Sequence, residues 1–206
     1  MVLSEYRNNE SGHLIRTKLL LAGFVFQFGS PIEAAINGVL IASRKACSFT
    51  CYLGQINDFP EALIRAEMAD LTVYGLYFPH KKKHTLFPFL KTQLAQSHQA
   101  QLLIGDFNTG KNFVDQKGDS FWYTEALKDL KRDGFLDAFR HLHGAHKEYS
   151  WVSAHGQGYR YDHCYVEAGL APVVKQCYYD HEVRSSNLSD HSAMIVDLMP
   201  IRQLPE

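Results

Sequence analysis

Cysteine is scarce in this sequence of 206 residues, and the four present (Cys47, Cys51, Cys164, Cys177) make no Cys-x2-Cys pair. That density excludes a disulfide-stapled miniprotein and points to a reduced, cytoplasmic protein. Cys47 and Cys51, with three residues between them and no second pair, are a weak match to a zinc site. Long apolar runs are also missing. The longest, residues 19–28, is interrupted by Gly23 and Gln27 and is too short to span a bilayer. No charged-then-apolar leader opens the chain, so no membrane partner is expected. There is no excess of charge of one sign either: the formal net charge is -1. That argues against a strongly cationic nucleic-acid wrapper, but an enzyme needs only a local basic strip and a transient encounter. Residues 80–84 (His-Lys-Lys-Lys-His) and the stretch 128–147 are such strips, and each also reads as ordinary solvated surface. His141, His143 and His146 are read the same way.

What is abundant is apolar side chain, 46% of the sequence and spread throughout, enough for one core. With no repeat and no low-complexity linker, a single domain over 1–206 is expected, and a monomer. Apolar runs of strand length recur at 39–42, 71–78, 102–105, 159–166 and 192–198. Met-Val-Leu-Ser-Glu at the start reads as a strand already in progress. Helical periodicity is rarer, at 16–22, 86–96 and 121–133, the last ending at Gly134. Strands outnumber helices without alternating strictly with them, which predicts a layered α+β fold with sheets packed face to face and helices outside.

Three segments carry chemistry. In Leu-Leu-Ile-Gly-Asp-Phe-Asn an apolar strand ends in Asp106 and Asn108, which alternation along an extended chain would place on one face. A carboxylate beside a carboxamide can orient a water, accept its proton and donate to an oxyanion; the same residues also make a good turn. In Tyr-Arg-Tyr-Asp-His-Cys-Tyr-Val, alternation puts Arg160, Asp162 and Cys164 on one face and Tyr161, His163 and Tyr165 on the other. An aspartate in so apolar a strand requires a partner, and an imidazole held in one tautomer would serve. In Leu-Ser-Asp-His-Ser, Asp190 and His191 stand at the mouth of another apolar strand, where a capping Asp and a surface His are the plainer reading. Together the three offer hard oxygen donors and little sulfur, which suits Mg2+ or Mn2+ better than zinc.

The order Gly-Asp-Phe-Asn, Arg-Tyr-Asp-His, Ser-Asp-His resembles the endonuclease/exonuclease/phosphatase superfamily, which includes exonuclease III-type repair enzymes and DNase I. Asn37 to Ser43 resembles the family's glycine-led strand, Val73 to Pro79 its tyrosine-proline segment, and Val2-Leu3-Ser4-Glu5 the short strand ending in a metal-binding glutamate. The resemblance implies a four-layer α/β/β/α sandwich. It implies that Glu5 and Asp190 serve the metal, that Asp106 positions or deprotonates water beside Asn108, and that Tyr77 touches the phosphate. His191, oriented by Asp162, would stabilise the charge growing on the phosphate, with Arg160 and Trp151 toward the substrate. Family members begin with a strand bearing an Asn, usually after a Trp; nothing here matches it, so the fold is expected to lack its first strand.

Phosphodiester cleavage in nucleic acid, DNA in the first instance, is the function this resemblance implies. Ser150-Trp151-Val152 is similar to the aromatic segment beside the nucleotide pocket of the repair enzymes, where a second aromatic commonly stands in place of Val152. Two alternatives stay open: a phosphatase or phosphodiesterase acting on a small molecule or lipid head group, and an inactive binding module that has lost its first metal-site strand.

Overall fold

The opening run does form a strand, β1 (Val2–Tyr6), followed at once by a helix, α1 (Glu10–Leu21). The helix starts earlier than its periodicity predicts because Asn9 caps it, its Oδ1 accepting the Gly12 N–H at 3.0 Å. Ser11 and Gly12 therefore lie inside the first turn instead of breaking it. A Cβ on Gly12 would sit 1.9 Å from the Arg7 carbonyl oxygen, so that turn requires glycine. The computed structural model describes residues 1–201, which divide into two compact units, one spanning Met1–Asp106 and the other starting at Phe107.

In the first unit, β1 is joined by β2 (Phe26–Gly29) and β3 (Gly38–Ser43) in an antiparallel sheet with β3 in the middle. Four further strands run side by side: β4 (Ser48–Cys51), β5 (Leu63–Glu67), β6 (Thr72–Tyr77) and β7 (Gln101–Asp106). The first three are antiparallel hairpin partners; β7 returns parallel to β6 after a crossover through α2 (Leu86–Ala95). Pro88 sits in the first turn of α2, where no intrahelical N–H is needed. Val39 and Ile41 from β3 meet Ile64 and Ala66 from β5, all buried, so the two sheets pack face to face as expected. Each buried Val or Ile there contributes roughly 1.5–3 kcal/mol.

The second unit is built from shorter pieces. β8 (Gln116–Lys117) precedes α3 (Thr124–Arg132), which ends at Gly134 with φ +91°. Then come β9 (Phe135–Asp137), α4 (Ala138–His143), β10 (Trp151–Val152), β11 (Gly158–Tyr159) and β12 (Asp162–Glu167). A last antiparallel pair, β13 (Val174–Asp180) and β14 (Ala193–Leu198), brackets the short helix α5 (Glu182–Ser185). β8, β11 and β10 form one small antiparallel sheet, and β9 pairs with β12.

The run 159–166, expected as one strand, is two. It breaks at Arg160 and Tyr161, where the buried Ser150 Oγ accepts the N–H groups of Tyr161 (3.0 Å) and Asp162 (3.2 Å). The two-face alternation expected across that run does not hold, and Arg160, Tyr161, His163 and Cys164 are all buried. The four cysteines are free thiols. No helix among the described residues is long and apolar enough to cross a membrane.

Candidate active site

At the ends of β6 and β7 the parallel register sets Tyr77 beside Asp106. The last step of β7 depends on Gly105, whose φ is +145° and whose absent Cβ would fall 2.1 Å from the Leu76 carbonyl oxygen. No other residue fits. Ser4 on β1 locks this end: its hydroxyl donates to the Leu76 carbonyl at 2.9 Å and accepts the Asp106 N–H at 3.3 Å. Asp106 itself is 2% exposed.

Glu5 lies in the next position of β1, where the pairing with β3 slips between Ser4 and Tyr6. Its φ is +57°, a left-handed conformation that costs a glutamate of order 1–3 kcal/mol. The bulge turns its carboxylate outward, and Oε1 accepts the Tyr77 hydroxyl at 2.9 Å. Asn37 Nδ2 reaches the same hydroxyl at 3.5 Å, while Asn37 Oδ1 accepts from Arg7 Nε. Burial pushes the Tyr77 phenol up to about 12, with Asn37 opposing the shift and Glu5 adding to it. Lys83 is fully buried close by in sequence, its ammonium donating to the carbonyls of Pro79 (3.1 Å) and His80 (3.3 Å). Burial pulls it down to about 7, with the Asp106 carboxylate opposing.

The second unit brings together the other expected residues. His191 Nδ1 lies 2.7 Å from Asp162 Oδ2. Since a carboxylate only accepts, Nδ1 carries the proton of this bond, and Nε2 lies on the side of the ring away from Asp162. Asp162 is placed by the Ser150 hydroxyl below its N–H and by the Tyr179 hydroxyl donating to its carbonyl at 2.6 Å. Next to His191, Asp190 Oδ2 accepts the Trp151 indole N–H at 3.1 Å, and Trp151 forms an isolated antiparallel bridge with His191. Trp151 packs on Tyr159, which stacks on Tyr161 at 5.3 Å and 3°, so one edge of the indole is wet and the other belongs to an aromatic cluster. Asn108 has φ +48°, a turn conformation that asparagine tolerates; the alternation that paired it with Asp106 stops at the end of β7.

Arg160, expected toward the substrate, is 1% exposed. Its guanidinium is bound by Asp115 (2.7 and 3.2 Å) and by both oxygens of Asp137. Arg140 adds a further bond to Asp115, and His163 lies 3.4 Å from Asp137. Asp137 also caps α4 by accepting the Arg140 N–H. Asp115 and Asp137 were not singled out in the sequence, while Asn37 and Lys83 were noted only as the start of a strand and as part of a basic strip. A second imidazole, His181, bridges Ser192 Oγ (2.8 Å) and Glu148 Oε1 (3.0 Å) beside the His191 segment; its Asp-His pair in Tyr-Tyr-Asp-His was a signal that passed unused.

The sequence matches no protein-family model and no curated protein. The fold does match solved structures. A 3′ phosphatase, NExo from Neisseria, bound to product DNA hairpin, superposes with a TM-score of 0.82 at 22% identity, covering 97% of this chain and 88% of that one. The 3′-5′ exonuclease NExo from Neisseria meningitidis gives 0.81 at 22%, covering 96% and 88%. An AP endonuclease from Archaeoglobus fulgidus gives 0.79 at 20%, covering 97% and 88%. The chain therefore has the mixed α/β, DNase I-like fold that its motif order implied.

Proposed function

We propose that the protein is a divalent-metal-dependent phosphoesterase that hydrolyses phosphate esters in DNA. The observation that carries this reading is the Asp162–His191 pair, an imidazole fixed in one tautomer by a 2.7 Å bond at the mouth of a strand. The fold shared with structures described as a 3′ phosphatase, an exonuclease and an AP endonuclease supports it.

Mg2+ fits the donors that are present. Glu5 offers an exposed carboxylate, held outward by its strained backbone and steadied by Tyr77. Mg2+ needs only one or two carboxylates, its remaining positions being filled by water and substrate phosphate. Glu5 is assigned as the ligand, with Asp190 supporting the metal and water network; Mn2+ would suit the same oxygens. Among the described residues no group of three His, Cys, Asp or Glu side chains is placed to hold a metal, so water and substrate phosphate would complete the cation's shell around Glu5. When bound, the cation supplies positive charge to the phosphate.

The chain's own groups do the rest. Asp106, shielded from bulk water, orients and deprotonates the attacking water, and Asn108 donates to it or to the phosphate. As Glu5 turns to the cation, the phenol of Tyr77, which burial keeps protonated, is released from that carboxylate and donates to a non-bridging oxygen instead. His191 Nε2 meets the charge that develops on the phosphoryl group. Trp151 offers its ring edge to a sugar or base. Arg160 acts from behind, holding the turn that leads into Asp162 and β12.

The test is a Mg2+-dependent assay on supercoiled plasmid, on an abasic duplex and on a 3′-phosphorylated oligonucleotide. Turnover of any of the three that is abolished by EDTA is expected. Inertness toward all of them, with turnover of phosphorylated metabolites instead, overturns the assignment to DNA.

Strain at Glu5 gives a separate prediction. Glu5→Gly should match or exceed the wild type in thermal stability, because relief of about 1–3 kcal/mol of backbone strain offsets an exposed hydrogen bond worth about 0.5–1.5 kcal/mol. Activity should meanwhile fall by about 10²-fold or more. A variant that melts well below the wild type would show that the conformation is not strained.

A further inference from the structure

A cavity of about 530 Å3, lined by neither His191 nor Asp162, opens in the second unit. Protein interiors are packed as tightly as organic crystals, with few voids larger than a water molecule. A cleft of this size is instead typical of small-molecule sites, which run to roughly 300–1,000 Å3.

Its walls are chemically divided. Leu127, Phe135 and Tyr165, each mostly buried, make an apolar floor, widened by Val114 and Leu136. Charge gathers at the mouth. Thr124, Leu127, Lys128 and Lys131 recur at the spacing of one face of α3, so the helix presents one apolar and two cationic side chains to the same space. Lys111 faces it from the loop before β8, and Arg140 and His141 from α4. Five fixed cations (Lys111, Lys128, Lys131, Arg140, Arg160) stand against two carboxylates (Asp115, Asp137), an excess of three.

The two carboxylates are already taken by the two arginines. Lys128 pairs with Glu125. Lys111 and Lys131 form no ion pair among the described residues, and both are exposed. They are the cations available to a ligand. Part of the basic stretch 128–147 is thus the rim of a concave site and not merely a solvated face.

We propose that this cavity binds a small aromatic anion of the nucleoside monophosphate type, its flat body on the Phe135–Tyr165 floor and its phosphate between Lys111 and Lys131. An uncharged nucleoside would forgo the rim, and a bare phosphate would forgo the floor. Nothing in the cavity requires the protein to be a phosphoesterase, and a metal-free experiment keeps the two proposals separable.

Isothermal titration calorimetry in EDTA would compare deoxyadenosine 5′-monophosphate, deoxyadenosine and inorganic phosphate. Saturable binding of the monophosphate at one site per chain is expected, at least tenfold tighter than either fragment. Lys111→Glu combined with Lys131→Glu should weaken it at least tenfold with an unchanged circular-dichroism spectrum. Should the double variant misfold, Lys131→Gln alone should weaken binding severalfold. His191→Ala should bind as the wild type does. Absence of saturable binding, phosphate binding as tightly as the nucleotide, indifference to the lysine changes, or loss of binding in His191→Ala would each overturn the proposal.

Discussion

His191→Ala is expected to lower phosphoesterase turnover by about 10²–10⁴-fold, the usual contribution of a positioned acid-base or charge-stabilising side chain. KM should change little. The side chain is bound to Asp162 at the front of β12 and is itself partly exposed, so its removal leaves no large cavity and stability should move by about 1 kcal/mol or less. Asp162→Asn sharpens the test. An amide can present its N–H to Nδ1, which places the ring proton on Nε2 and turns the atom facing the phosphate into an obligatory donor. If the cationic ring is the working form, Asp162→Asn should lose turnover nearly as fully as His191→Ala. The loss should fall on kcat with KM close to the wild-type value, as for a group that acts on the transition state. A purely structural role for the pair would alter the melting temperature of both variants and leave kcat of the folded protein in place. Turnover within threefold of wild type in His191→Ala would remove His191 from the reaction.

The largest effect on stability is expected at Arg160. Arg160→Met keeps the volume and removes the charge, leaving Asp115 and Asp137 buried with fewer partners. Breaking a buried pair from one side costs about 3–5 kcal/mol, which for a chain of this length lowers the melting temperature by about 6–20 °C. Acid should expose the same network in the wild type. Burial pushes both carboxyls up, but the Arg160 guanidinium outweighs it and holds each below the usual carboxylate range. A carboxylate whose folded-state pKa is depressed contributes its stability above the unfolded value, near about 3.9, and surrenders it as the pH falls toward the folded value. Wild-type stability should therefore drop as the pH falls below about 4. Arg160→Met should be less stable throughout and show a shallower acid limb. Denaturant midpoints at pH 7, 4 and 3 would decide it, and parallel curves for the two proteins would refute the arrangement.

Strands with long apolar runs, such as β3, β6 and β7, were legible in the sequence because burial on both faces writes itself as continuous Val, Leu and Ile. The helix α1 was legible only in part, since its start rests on one capping Asn and on a glycine that the helix needs for close approach, where glycine ordinarily reads as a break. The break at Arg160–Tyr161 was hidden for a similar reason. A serine eleven residues upstream of Tyr161 satisfies its N–H, and contacts at that distance leave no local pattern. In the candidate site, Asp162 and His191 were read from motif order and the structure joins them. Glu5 was found by its neighbours in sequence, but its left-handed backbone was not. Asn37 was read only as the start of the glycine-led strand and given no role in the site, although its amide holds Tyr77 on one side and Arg7 on the other.

The bond from the Trp151 indole to Asp190 also gives the protein an optical reporter of its own. Only two tryptophans are present, and the other, Trp122, is 62% exposed. With Trp122 changed to phenylalanine, the emission of a single indole would track the carboxylate next to His191, so that cation or substrate drawing on Asp190 would appear as a change in colour and yield with no label attached.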